Sequence, residues 1–167
     1  SELNRYPETA SVAQVSLASN PETVAKAKLG LGRCPVASPR TRCCNLQTLD
    51  AVENCGYGCS YCSIQSFFDG KQISFDSSFS DKLQNLVLDP EQTYHIGTGQ
   101  SSDSLMWGNS HDVLDGLIDF ARTNNNVILE LKTKSANVGH LLRAQAPRNM
   151  IFTWSLNTPT LIHHEEH

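Results

Sequence analysis

From Leu46 onward, apolar runs of strand length alternate with stretches whose apolar residues recur at helical spacing, the pattern of a parallel sheet with crossover helices. Four strands are predicted at residues 46–52, 93–97, 127–132 and 150–156, with helices at 79–88, 111–122 and 138–142. Each strand runs out into polar or glycine-rich residues: Glu53-Asn54-Cys55, Gly97-Thr98-Gly99-Gln100, Thr133-Lys134-Ser135 and, after the fourth, Ser155 and Asn157. In α/β barrels and open sheets, reactive groups gather at those carboxyl ends because the loops there converge on one face. Upstream, residues 21–29 read as a helix with Asn20 as N-cap, stopped by Gly30 and Gly32. A short positive loop follows over 33–45, with Pro35, Pro39, Arg33, Arg40 and Arg42. The chain therefore divides into a helical and loop segment, 1–45, and a barrel part, 46–167. The alternation stops after the fourth strand, whereas a full (β/α)₈ barrel needs about 250 residues. The expected fold is α/β, a partial (β/α) barrel present as an incomplete fragment of a larger one, and the absence of an initiator Met agrees with trimming.

Composition narrows the class. A chain of 167 residues is one domain in length. Its 39% hydrophobic and 18% charged residues, with only 10 Gly and 7 Pro, exclude a disordered, collagen-like or low-complexity chain. No apolar run approaches the roughly 18 residues that would span a bilayer. The start, Ser1-Glu2-Leu3-Asn4, has no basic region followed by an apolar stretch, so a cytoplasmic location is expected and no membrane partner. Thirteen Lys and Arg against seventeen Asp and Glu give a net charge of −4, which argues against a broad basic nucleic-acid surface and leaves room for a local groove.

Cysteine usage is uneven. Cys34, Cys43 and Cys44 are scattered, but Cys55, Cys59 and Cys62 fall within eight residues in Cys55-Gly-Tyr-Gly-Cys59-Ser-Tyr-Cys62. Clustered cysteines without a secretion signal bind metal or do redox chemistry more often than they form disulfides. Thiolates suit zinc or iron–sulfur clusters, and Gly56 and Gly58 let the backbone wrap closely around a bulky ligand. Three ligands on a cubane of four irons leave one iron open, by the logic that gives catalytic zinc an exchangeable position. The competing reading is structural zinc with Cys43, Cys44 or a histidine as fourth ligand. Zinc knuckles show paired Cys-x2-Cys spacings, which this x3-x2 trio does not match, and an electron-transfer ferredoxin would want a fourth cysteine.

At these residues the chain resembles the radical S-adenosylmethionine superfamily, whose motif is Cys-x3-Cys-x2-Cys with an aromatic residue, here Tyr61, before the last cysteine. Cys43-Cys44-Asn45-Leu46, Cys62-Ser63-Ile64-Gln65, the run from Gly97 to Ser104, Leu131-Lys132-Thr133-Lys134 and Trp154-Ser155-Leu156-Asn157 extend the likeness to the spore photoproduct lyase family. That resemblance implies a partial barrel of the radical SAM type and a 4Fe-4S cluster on Cys55, Cys59 and Cys62. It implies that S-adenosyl-L-methionine chelates the free iron and is cleaved reductively to a 5′-deoxyadenosyl radical, with an electron donor such as flavodoxin or ferredoxin and damaged DNA as partner. It also places Ser102, Lys134 and Ser155 around the methionine end of the cofactor, where Lys134 offers a cation to the carboxylate and the hydroxyls hydrogen-bond to it. Asp103 binds a ribose hydroxyl or holds Ser102 in place. Gly97 and Gly99 permit close backbone approach, and Tyr61 and Asn157 belong to the same candidate cofactor set, Tyr61 being also the candidate catalytic residue. Lys132, two residues before Lys134, would share its face on a strand.

Blander readings stand beside these. Gly97-Thr98-Gly99 alone is equally a turn, Lys132 and Lys134 a solvated edge, and Ser155 and Asn157 a strand end. Trp107 and Trp154 read as packing residues, and His163, His164 and His167 as the solvated face of a helix shared with Glu165 and Glu166. Cys34, Cys43 and Cys44 read as structural or incidental. Two positions depart from the family: Gln100 and Ser63 stand where the lyases have the cysteine and tyrosine that return a hydrogen atom. Radical generation is untouched by that change, whereas thymine-dimer repair is not. The rival readings are the same radical chemistry on a protein, tRNA or small molecule, and a non-catalytic metal-binding module.

Overall fold

The computed structural model describes residues 22–24, 31–33, 40, 46–67 and 72–166. Along the chain, β1 (Glu22–Val24), β2 (Gly32–Arg33), β3 (Gln47–Thr48) and β4 (Val52–Glu53) precede a 3₁₀ turn at Ser63–Phe67. Then come β5 (Ser74–Asp76), α1 (Phe79–Gln84), β6 (Tyr94–Thr98), α2 (Val113–Thr123), β7 (Val127–Thr133), α3 (Gly139–Arg143), β8 (Met150–Trp154) and α4 (Pro159–Glu165). The main sheet runs β2-β3-β6-β7-β8. Its β3-β6, β6-β7 and β7-β8 pairs are parallel and β2 is antiparallel to β3. A smaller sheet, β1-β5-β4, stands beside it in the fold order.

The expected α/β class and parallel sheet are present, and the reasons are local. In β7, Val127, Leu129, Leu131 and Thr133 are buried while Ile128, Glu130 and Lys132 lie on the more open face, the period-2 pattern of a pleated strand. In α2, Leu114, Leu117, Ile118 and Ala121 repeat at helical spacing and are buried. The helix packs on β7 and α1. Leu129, Leu131, Leu114 and Leu117 thereby join Phe75, Phe79 and Leu83 in one apolar core.

Three differences from the sequence reading are instructive. Residues 46–52 do not form one strand. They serve two sheets, β3 bonding β6 and β4 bonding β5, because buried Leu49 donates its N–H to Gly97 O at 3.0 Å while Ala51 O accepts from Asp76 N at 2.9 Å. Glu22–Val24, expected within a helix, is a strand in parallel register with Ser74–Asp76; the rest of the 21–29 segment lies outside the described residues, as do Arg42, Cys34, Cys43, Cys44 and His167. The helix expected at 79–88 ends at Gln84, where Asn85 Nδ2 bonds back to Asp81 O at 2.7 Å. Among the described residues, no helix is long and apolar enough to cross a membrane.

Candidate cluster and cofactor site

The cysteine loop begins where β4 ends. Asn54 is buried and left-handed, at φ 68°, a conformation that Asn tolerates better than most residues. Its side chain fixes the turn twice over, donating through Nδ2 to Gln72 O at 3.1 Å and accepting from Cys55 N at 2.9 Å. Gly58, at φ 59°, supplies a second left-handed residue, and Cys62 N closes on Cys59 O at 3.0 Å. Cys55, Cys59 and Cys62 are all thiols outside any disulfide among the described residues.

Burial, opposed by a bond from the Tyr57 backbone, pushes the Cys55 thiol up to about 11, and the charges of Asp103, Cys59 and Cys62 add to it. Burial also raises Cys59, against a bond from Tyr61 and the charge of Lys134. The thiols are close enough to feel one another, yet among the described residues no three His, Cys, Asp or Glu side chains converge on one metal ion. A cubane puts each thiolate on a different iron, so this spacing and all-sulfur donor set fit a cluster better than a single ion. Thiols raised by burial bind as thiolates only when the incoming metal displaces their protons.

Lys134 faces the loop. β7 ends at Thr133, so Lys134 is the first residue beyond the strand. Its direction comes from Asp103, whose Oδ2 accepts from Lys134 N at 2.6 Å while Oδ1 accepts from Leu105 N, Met106 N and Thr133 Oγ1 at 2.9, 2.8 and 2.7 Å. Both oxygens of this buried carboxylate thus serve the chain's own donors. Lys134 Nζ donates to Glu166 Oε1 at 2.6 Å and to Ser155 O at 3.1 Å, and sits 5.7 Å from the Tyr61 ring centroid. Ser155 therefore contributes a carbonyl. Asn157 Nδ2 donates to Tyr61 OH at 2.7 Å and also to Glu166 Oε1, which Tyr61 OH reaches as well. Burial would lower the Lys134 pKa, but its bonds to Glu166 and Tyr61 outweigh it and hold the ammonium above the usual lysine range. Glu166 is held below the usual carboxylate range, because the bonds from Lys134, Tyr61 and Asn157 outweigh burial.

The structure thus brings together Cys59, Tyr61, Lys134, Ser155 and Asn157, and adds Glu166, which reads in the sequence as part of a solvated helix face. Its neighbour Glu165 accepts from Ser60 N at 2.9 Å and from Ser60 Oγ, tying α4 to the cysteine loop. His163 and His164, by contrast, are exposed. Beside the cluster of polar groups a cleft of about 520 Å³ opens between Ser60, Tyr61, Asn157, Leu161 and Glu165. Ser102 stands apart from it. Its buried Oγ has no hydrogen-bond partner among the described residues, and it lines, with Trp107 and Asp103, an interior space of about 30 Å³, room for about one water. Gly97 lies within β6, opposite Thr48 and Glu130. Gly99, at φ 78°, lets the chain approach itself: a Cβ there would meet Ser104 Oγ at 2.6 Å and Lys132 O at 2.8 Å. Trp107 packs edge-on against Phe75, centroids 5.5 Å apart, and Trp154 donates to Ser135 O at 3.0 Å.

This mixed α/β arrangement with a parallel sheet matches a partial radical S-adenosylmethionine fold, and solved structures of spore photoproduct lyase share it. A variant of that lyase with bound AdoMet and dinucleoside spore photoproduct superposes with TM-score 0.71 at 20% identity, over 96% of this chain and 47% of that one. The lyase complexed with dinucleoside spore photoproduct gives 0.72 at 19%, with the same coverage, and a further variant gives 0.71 at 17%. Spore photoproduct lyases are radical SAM enzymes; the likeness establishes a shared fold, and this chain spans about half the length of the structures it matches. No protein-family model and no curated protein sequence matches the chain.

Proposed function

We propose that this chain carries the cofactor-binding part of a radical SAM enzyme of the spore photoproduct lyase type. In this reading Cys55, Cys59 and Cys62 hold a 4Fe-4S cluster, and Lys134 faces the amino-acid end of S-adenosylmethionine. The observation that carries it is the placing of Cys59 beside Tyr61 and Lys134 at the carboxyl edge of the matched sheet. When bound, the two cofactors supply the reductive cleavage that yields a 5′-deoxyadenosyl radical, chemistry beyond ordinary side chains. The protein's own part is positional. Asp103 aims the Lys134 backbone, Ser155 O and Tyr61 fix its ammonium, and burial keeps water from the Cys59 thiol.

The substrate proposed is a DNA photolesion, by analogy with the dinucleoside bound to the matched lyase. Gln100 and Ser63, in place of cysteine and tyrosine, favour a second reading in which the same radical chemistry acts elsewhere. Both residues are at least partly open to solvent, and neither an amide nor an alkyl hydroxyl gives up a hydrogen atom as a thiol or phenol does.

The test is anaerobic reconstitution with iron and sulfide, a visible spectrum, and assay for 5′-deoxyadenosine after adding dithionite and S-adenosylmethionine. A brown protein that forms 5′-deoxyadenosine, and loses both properties in Cys59→Ala, is the expected result. A colourless protein with stoichiometric zinc would overturn it. For the substrate, affinity for irradiated duplex DNA should fall steeply with salt, because phosphate contacts release counterions; no binding by a chain that includes the remaining half of the fold would refute the DNA reading.

A further inference from the structure

We propose that Glu166 is a further cofactor-binding residue, receiving the α-amino group of S-adenosylmethionine while Lys134 receives the carboxylate; this rests on the function proposed above. The head of that cofactor carries an amino group and a carboxylate on one carbon. In the site, a donor and an acceptor of matching sense already stand side by side, Lys134 Nζ 2.6 Å from Glu166 Oε1.

Glu166 has capacity left over. Lys134 Nζ, Tyr61 OH and Asn157 Nδ2 all reach Oε1 of Glu166, and among the described residues none bonds to Oε2. An ammonium has three donors, and those on Lys134 go to Glu166, Ser155 O and Tyr61, so an incoming carboxylate exchanges with the Tyr61 bond. An open acceptor beside an ammonium whose bond to a half-exposed tyrosine can be exchanged is the complement of an α-amino carboxylate. A purely structural role accounts for less. The side chains of Lys134 and Glu166 are only 20% and 16% exposed, and a desolvated ion pair gains little over apolar packing of the same shape. The cleft of about 520 Å³ beside Tyr61 and Asn157 is within the size range of ligand sites and gives the head group a way in. Both charges also act on Cys59, which places the pair next to the loop where the cofactor must meet the cluster.

The experiment uses the reconstituted protein and measures equilibrium binding, without reductant, of S-adenosylmethionine and of two analogues, one lacking the α-amino group and one lacking the carboxylate. Glu166→Gln should weaken S-adenosylmethionine and the decarboxylated analogue by about tenfold and leave the desamino analogue within twofold of its wild-type affinity. Cluster absorbance and the thermal midpoint report whether the variant is folded. Should it lose the cluster, Glu166→Asp provides the second variant, expected to keep the discrimination between the amino and desamino ligands. Equal weakening of all three ligands would overturn the proposal in favour of a structural strap. Tighter binding of S-adenosylmethionine by Glu166→Gln would also overturn it, showing that Glu166 competes for Lys134. If the cluster forms in the wild-type protein and none of the three ligands binds, the functional reading itself fails, a result distinguishable from either of those.

Discussion

Asp103 decides whether the loop after β6 is built around the chain or around a ligand. Its carboxylate takes four donors: Leu105 N, Met106 N, Thr133 Oγ1 and Lys134 N, at 2.6 to 2.9 Å. Replacing it by Ala removes all four bonds. Leu105 is fully buried and Thr133 nearly so, so at least two donors are left without protein partners in a poorly hydrated place. Each such group costs about 1–3 kcal/mol, and Asp103→Ala should therefore destabilise the chain by about 3–5 kcal/mol, part of the loss being recovered where water enters. Asp103→Asn keeps the shape and one oxygen. With that oxygen on the three donors at Oδ1, the new amide N–H₂ opposes Lys134 N, one donor against another, at a cost of about 1–3 kcal/mol. Urea unfolding followed by circular dichroism measures both. With a slope of about 2 kcal/mol per molar, the Ala midpoint should fall by about 1.5–2.5 M with the slope unchanged. If Asp103 instead serves a ribose hydroxyl, its removal should leave the midpoint almost where it was and weaken only S-adenosylmethionine binding. A loss below about 0.5 kcal/mol for Asp103→Ala would refute the structural account.

Three further perturbations test the frame around the site. Leu129→Ala, at a fully buried position of β7, should cost about 2–5 kcal/mol in the same unfolding assay. Gly99→Ala combines a left-handed φ with a Cβ only 2.6 Å from Ser104 Oγ and 2.8 Å from Lys132 O; a loss of about 1–3 kcal/mol is expected, and a neutral result would show that the loop relaxes freely away from β7. Lys82→Met strands the buried carboxylate of Asp76, which Lys82 Nζ meets at 2.7 Å although Ser78 also bonds it. A drop of about 2–4 kcal/mol in unfolding free energy should follow, and the double variant with Asp76→Asn should recover part of it.

What could be read from the sequence was what lies close along it. The cysteine loop is eight residues long, and the periods of β7 and α2 each repeat within one element, so their faces are visible before any packing is known. β1, β2, β4 and β5, of two or three residues each, have no period to read; they exist because distant backbone pairs with them, as Glu22–Val24 does with Ser74–Asp76. For the same reason residues 46–52 look like one apolar strand. Only the positions of Gly97 and Asp76, far along the chain, divide them between two sheets.

The site follows the same division. Tyr61, Lys134, Ser155 and Asn157 could be singled out because they sit in or beside motifs, and Asn54 could have been suspected as an Asn directly before a turn that needs a left-handed residue. Glu166 gave no such sign. It stands in a charged run, His163-His164-Glu165-Glu166, whose ordinary meaning is solvent, and its partner Lys134 is 32 residues away. The two meet because β7 and β8 are parallel and paired, Lys132 opposite Thr153, so that the chain leaving each strand emerges at the same edge. The helix α4 then turns back, capped by Thr158 and tied to Ser60 through Glu165. The segment that follows β8 therefore carries an acidic residue back to a lysine that β7 has delivered to the cysteine loop. Charge complementarity of this kind is a property of topology, and it becomes visible only when the sheet order is known.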